Sequence, residues 1–408
     1  MNRISWCGAV SVGACALAVL WGGTAAAGEA QQVTYSQEIS RIVQAKCQEC
    51  HRPKGLGPFS LMSYRQVKGW GKMIQEVVNS KRMPPWGLDP HVGEWANDPS
   101  FTPEELAALN AWVEGGMPEG DPAKLPVPRV FNDEWGIGEP DVVLEMPEEV
   151  TIAATGVVAY RYFTSDIDFE EDRYVKAIEV RPGNMKSVHH IIIFLQEPQA
   201  EGDSRGNFTE NMLDVYAPGS PPGIFPDGVV RKIPKGSKLI WQVHYTPTGK
   251  EEKDRSRLGI IFAGGPEKEV LRTAFAVNDD FKIPPHHDDY VVEASKKIPA
   301  DATVYSFTPH MHYRGKAMDF FLKYPDGKEV LACSVPAYDF NWQLDYQLKE
   351  PLRVPAGTVF RIVGRFDNSA NNPNNPDPSK PVRWGEQTWE EMLMGGIFLS
   401  WADEATAK

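Results

Sequence analysis

Val188-His189-His190-Ile191-Ile192-Ile193-Phe194-Leu195 is an unbroken run of β-branched and bulky apolar residues that carries two adjacent imidazoles. Such a run reads as a strand buried on both faces, with its histidines held inside apolar surroundings. Working outward, similar runs bounded by turn residues recur at 157–163, 174–180, 239–245, 303–307, 318–323, 359–363 and 396–401. Short strands separated by turns favour antiparallel sandwiches. The 35 glycines and 34 prolines among 408 residues supply those turns and exceed the average share.

Before residue 122 the period changes. Residues 34–118 read as helical, with Ser36 to Ala45, Tyr64 to Ser80 and a third helix opened by Thr102-Pro103-Glu104-Glu105. That last tetrad is a capping box with proline at the first helical position, and Leu106, Leu109 and Trp112 follow at helical spacing up to Gly115-Gly116. Residues 122–140, rich in Pro, Gly and charge, read as a linker. At the N-terminus, Arg3, the apolar stretch Ile4 to Trp21 and Ala25-Ala26-Ala27 read as a signal peptide over residues 1–27. A periplasmic or secreted protein is therefore expected, with membrane attachment only if the leader stays uncleaved.

Cys47-Gln48-Glu49-Cys50-His51 sits at the end of the first helical stretch. Behind an export signal, C-x-x-C-H reads as a covalent attachment site for one heme c, with His51 beneath the iron. No βαβ pattern surrounds the motif and no second C-x-x-C follows, which argues against a thioredoxin-like pair or a zinc site. Met83, in Met83-Pro84-Pro85, is the expected sixth iron ligand, because a proline-stiffened loop can present one sulfur. Met62, Met73 and Met117 compete with it on position. Cys7 and Cys15 leave with the leader, so Cys333 stands alone as a buried strand cysteine and no disulfide framework exists.

Five of the nine histidines fall in three contexts: Val188-His189-His190, Gln242-Val243-His244-Tyr245 and Pro309-His310-Met311-His312. His310 and His312 are two apart, so on a strand both rings leave one face. His189 and His190 point to opposite faces unless a strand end, twist or bulge re-aims one ring. Imidazoles suit copper, zinc or iron, and an added thioether shifts preference towards cuprous copper.

In order, V-H-H-I-I-I-F, W-Q-V-H-Y, P-H-M-H-Y-R-G-K-A-M and W-E-E-M-L-M resemble the copper type II, ascorbate-dependent monooxygenases of the peptidylglycine α-hydroxylating and dopamine β-monooxygenase kind. The resemblance covers about residues 140–402. It implies a multidomain chain: a small all-α cytochrome c domain (31–121), the linker, and two all-β jelly-roll-like sandwiches (141–282 and 283–402), each with one copper across a solvent cleft. It implies one copper on His189, His190 and His244, and a second, where oxygen is activated, on His310, His312 and Met392. Met394 is the rival thioether. Gln242 is expected to pair with a backbone group. Peptide-amidating members carry Arg and Tyr at the positions of Thr308 and Gly396, so a glycine-extended peptide is not the expected substrate.

Two functions stand at this stage. One is an exported copper-dependent monooxygenase that uses O2 to hydroxylate a C–H bond, or oxidise a heteroatom, of a small organic substrate. Its electrons would come through the heme from a periplasmic redox protein or an ascorbate-like reductant. The other is a non-catalytic heme and copper protein for electron transfer, copper binding or redox sensing. The formal charge of −13, one unit more negative without Arg3, argues against nucleic acid and anionic lipid as partners. His286-His287-Asp288-Asp289 reads as a solvated turn. Residues 367–380 read as a long loop, mobile beside the substrate or inert, and Asn207-Phe208-Thr209 matches a glycosylation sequon.

Overall fold

The computed structural model describes residues 32–132, 134–198, 211–218, 221–264 and 269–402. The leader and the Asn207 sequon lie outside them. Among the described residues no helix is long and apolar enough to cross a membrane.

Strands dominate, at 39% of the described residues against 12% helix. One nine-stranded sheet runs through the whole β region, in the order 142–145, 257–262, 173–181, 229–233, 269–278, 393–401, 302–310 and 346–354, with Gly223–Ile224 paired onto 173–181. Two four-stranded sheets cover its halves. Arg161–Asp166, Lys238–Tyr245, Val188–Gln196 and Met212–Tyr216 cover the first, and Tyr290–Lys297, Val359–Phe366, Gly315–Lys323 and Glu329–Val335 the second. The halves meet through a short parallel contact, Glu269 to Val229 and Val270 to Val230. Trp241, Tyr245, Ile191 and Ile193 fill the first core. Phe307, Phe320 and Phe360, whose rings lie 5.5 to 6.5 Å apart, fill the second.

The expected small all-α cytochrome c domain followed by two separate jelly-roll-like sandwiches is corrected by this architecture. Among the described residues three α-helices form, Ser40–Lys46, Tyr64–Asn79 and Pro103–Glu114, and long irregular stretches separate them. The stretch after the second helix gives its apolar residues to the second β-half. Leu88 is buried in that core, Trp86 meets Tyr346 edge-on at 4.9 Å, and Trp95 lies 6.3 Å from Phe307. Backbone bonds from Asp89 to Ser334 (3.0 Å) and from Ala96 to Gln347 (2.8 Å) fasten it there. Helical periodicity marks the helices, but it cannot show that the chain between them belongs to a β core.

Within the helical segment, Ile39, Val67, Leu109 and Trp112 form a small core, and the amides of Tyr35 and Ser36 bond the carbonyls of Pro118 and Glu119. The third helix opens as its sequence dictates. Thr102 Oγ1 accepts the Glu105 amide at 3.2 Å and Glu105 accepts the Thr102 amide at 2.9 Å. Thr102→Ala should cost about 1 kcal/mol, read as a lower urea midpoint for helical circular dichroism.

Candidate metal centre

His189, His190 and His244 converge, with candidate ligand atoms all within 4.8 Å of one another. A bulge makes this possible. Val188 pairs with Tyr245 and His190 with His244, so His189 is the extra residue in the ladder and its ring turns to the side of its neighbour. The three rings lie 5.1 to 5.5 Å apart, and the Nδ1 atoms of His189 and His190 face each other at 3.2 Å. Burial pushes His189 down to about 4 and His244 to about 3, and His190 well below its ordinary value, where the neighbouring imidazoles add to the effect. The rings are neutral at pH 7, the form a metal needs. His244 Nδ1 is buried without a hydrogen-bond partner. That orphaned lone pair or proton is costly in a protein lacking a bound ion, so the donor set fits a metal.

His310 ends its strand and His312 lies two residues beyond, their ring centroids 5.3 Å apart. His310 Nδ1 meets Gln343 Oε1 at 2.6 Å and His312 Nδ1 meets the Glu390 carbonyl at 3.3 Å. Anchored through one nitrogen, each ring keeps Nε2 for an ion. His312 Nε2 is indeed buried without a partner. Between them Met311 turns into the second core, its backbone held by the Tyr338 hydroxyl, which donates to its carbonyl at 2.6 Å and accepts its amide at 3.1 Å.

Leu393 is fully buried in that core, so alternation sends Met392 and Met394 to the opposite face, the face of His310. Met394 stands directly across the ladder from His310 and packs with Phe194, Met212 and Phe275. Met392 precedes the strand, its amide donating to the carboxylate of Glu391 at 3.3 Å.

The two sets of histidines face each other. Ile192, Phe194 and Ile240, on the His190 and His244 side of the first half, pack against Phe275, Val277, Met394 and Phe398 of the second. An apolar seam therefore lies where the resemblance implies a solvent cleft. Phe340 closes its histidine end, stacked on His189 at 5.0 Å and edge-on to His312 at 6.0 Å. The halves are also tied by side chains. Gln242 donates to the Tyr162 hydroxyl at 2.7 Å, which donates to Glu386 at 3.2 Å, so Gln242 bonds a side chain rather than the backbone expected for it.

In the helical segment, Cys47 and Cys50 are free thiols, with burial pushing Cys47 up to about 12. His51 Nδ1 lies 3.2 Å from the Phe59 carbonyl, leaving Nε2 for an iron. Phe59 stacks on Trp70 at 4.2 Å and lies tilted against His51 at 4.6 Å. Two thiols and an oriented imidazole fit covalent heme. Met83 lies past the second helix, its amide bonded to the Val77 carbonyl, along a groove of about 680 Å³ shared with Trp86, Tyr313, Phe340 and Trp342. Met117 packs its sulfur against Gly71, and Met73 is 45% exposed.

Three residues escape sequence reading: Glu391, Tyr160 and Phe340. Glu391 is fully buried and accepts the amides of His312 (2.9 Å) and Arg314 (2.7 Å). Tyr160 lies 4.7 Å from the His244 ring and 5.4 Å from His190, its hydroxyl buried without a partner. An acid next to Met392 was the only available signal for the first, and nothing local marks the other two. His286 and His287 are exposed, in the turn expected of them. Residues 367–377 are knitted by bonds such as Asn372 Nδ2 to the Tyr313 carbonyl (3.1 Å) and Asn375 Nδ2 to Asn368 Oδ1 (3.0 Å).

No family model matches the chain, and no curated protein matches it. Among solved structures, the infectious bursal disease virus Gx strain is 8% identical, covering 65% of this chain and 73% of its own, at a TM-score of 0.17. The PBSX exported protein XepA is 12% identical, covering 60% and 92%, at 0.16. Scores so low establish no shared fold, and the chemistry rests on the residues above.

Proposed function

We propose that this chain is an exported copper-dependent monooxygenase that acts with O2 on a small organic substrate and draws its electrons through a covalently attached heme c. The observation that carries the reading is the pairing of two buried imidazole sets, each with an orphaned ring nitrogen, on facing sheets. His189, His190 and His244 would hold one copper, and His310, His312 and Met392 the other, with Met394 as the rival thioether. Two separate coppers can each store one electron, and a softer site with a thioether favours the cuprous state in which oxygen binds.

The protein's own residues orient and exclude. Gln343 and the Glu390 carbonyl hold the second pair of rings, and the apolar seam keeps bulk water from the histidines. The two positions that grip a peptide carboxylate in amidating relatives are occupied otherwise. Thr308 Oγ1 donates to half-buried Asp345 at 2.9 Å, and a side chain at Gly396 would collide with the Phe275 ring. A substrate without that carboxylate fits this arrangement.

The deciding experiment is copper per covalent heme after copper loading and desalting. Two coppers are expected, falling to one in His310→Ala while the first site keeps its ion. No copper above background, or a count insensitive to His310, would favour a heme-bearing carrier or sensor instead.

A further inference from the structure

A cleft of about 480 Å³ separates the heme motif from the first β-half. Cys50, Arg52 and Leu56 line one wall, and Arg181, Val215 and Tyr216 the other. Tyr216 ends the edge strand Met212–Tyr216 and pairs in the ladder with Ile191, the residue after His190. His190 in turn pairs with His244. The half-buried Tyr216 ring stands on the cleft wall opposite Cys50.

Resting on the function proposed above, we infer that Tyr216, across this cleft from Cys50, is the residue through which electrons from a heme held by Cys47, Cys50 and His51 would reach the three-histidine site. One strand pairing then separates the contact residue from the His190 backbone. In the transfer, one electron would leave a ferrous iron held by His51, making it ferric, and would reduce one cupric ion held by His189, His190 and His244 to the cuprous state. No bond is made or broken and no proton moves.

The rival route is the groove holding Met83, whose wall includes Phe340, in contact with both His189 and His312. That route would feed the two sites without preference. The Tyr216 route feeds the first alone.

The test uses the full-length protein with covalent heme and copper counted in every variant. Under anaerobic conditions, with copper oxidised, the heme is reduced by a pulse of a photogenerated one-electron reductant and its reoxidation is followed in the visible band. Tyr216→Leu should slow reoxidation by about tenfold, equivalent to about 1.4 kcal/mol of barrier, with heme spectrum and copper count unchanged. Tyr216→Phe, which keeps the ring, should retain the rate, and so should Phe340→Leu. An unchanged rate in Tyr216→Leu, or slowing confined to Phe340→Leu, overturns the route while leaving the proposed function standing. Wild type lacking heme or copper overturns both.

Discussion

Glu391→Ala is expected to destabilise the protein by about 3–5 kcal/mol, the range for stripping a buried charged or hydrogen-bonded group from its partners. Glu391 is the point where two distant chain segments are joined. One oxygen accepts the amides of His312 and Met392, and the other accepts that of Arg314. Burial lifts its pKa to about 8, against the pull of these donors and of the Arg314 guanidinium. Removing the carboxyl leaves three buried amides without acceptors and a hollow beneath the His-x-His turn. The turn and the methionine strand would lose their common anchor, so copper at the second site should fall while the first keeps its ion. Glu391→Gln, which retains one oxygen, should lose less on both counts. Urea unfolding together with a copper count measures both effects. Full stability in the alanine variant would show that the turn is held by Arg314 bonding Asn368 Oδ1 at 2.8 Å and the Trp389 carbonyl at 3.0 Å instead.

Trp241→Ala should cost a comparable 3–5 kcal/mol, by the usual range of about that size for deleting a buried tryptophan. Trp241 is fully buried in the first core, between Phe163 and Ile193 on the flanking strands, and its indole donates to Ser165 Oγ at 3.0 Å. The variant opens a cavity and strands a hydroxyl. Because His244 lies three residues along the same strand, slackening there should also widen the three-histidine site. The expected result is a lower unfolding midpoint and weaker retention of the first copper, with the second site intact. Trp241→Phe, which refills most of the volume, should recover most of the stability. An alanine variant with the wild-type unfolding midpoint would show that the core relaxes around the loss.

Seven of the eight strands read from period and turns lie within longer observed ones, while the eighth, 157–163, overlaps Arg161–Asp166 only at its last three residues. Ala302–His310 covers the expected 303–307 and Leu393–Trp401 the expected 396–401. The capping box and the first residues of the second and third helices were equally legible, because caps and periodicity are local properties. The helical segment as a separate all-α domain was not. Trp86, Leu88 and Trp95 lie in a stretch without period, and only contact with Phe307 and Tyr346 shows which core they serve.

The sequence by itself determined which side chains could ligate: two thiols and His51 in one short motif, and five histidines embedded in apolar strands, where lone imidazoles are costly. It also held the condition for His189 and His190 to meet, a bulge, without showing whether one forms. Tertiary structure alone decided that. The register between 188–196 and 238–245 slips by one residue at His189, a choice made by pairing energy across the whole ladder. It alone decided that the two histidine sets face one another across an apolar seam closed by Phe340. And it alone placed Glu391 under the His312 turn and Tyr216 beside Cys50. Such contacts join residues 79 and 166 positions apart in the chain, where no local pattern reaches and only the packing of sheets brings them together.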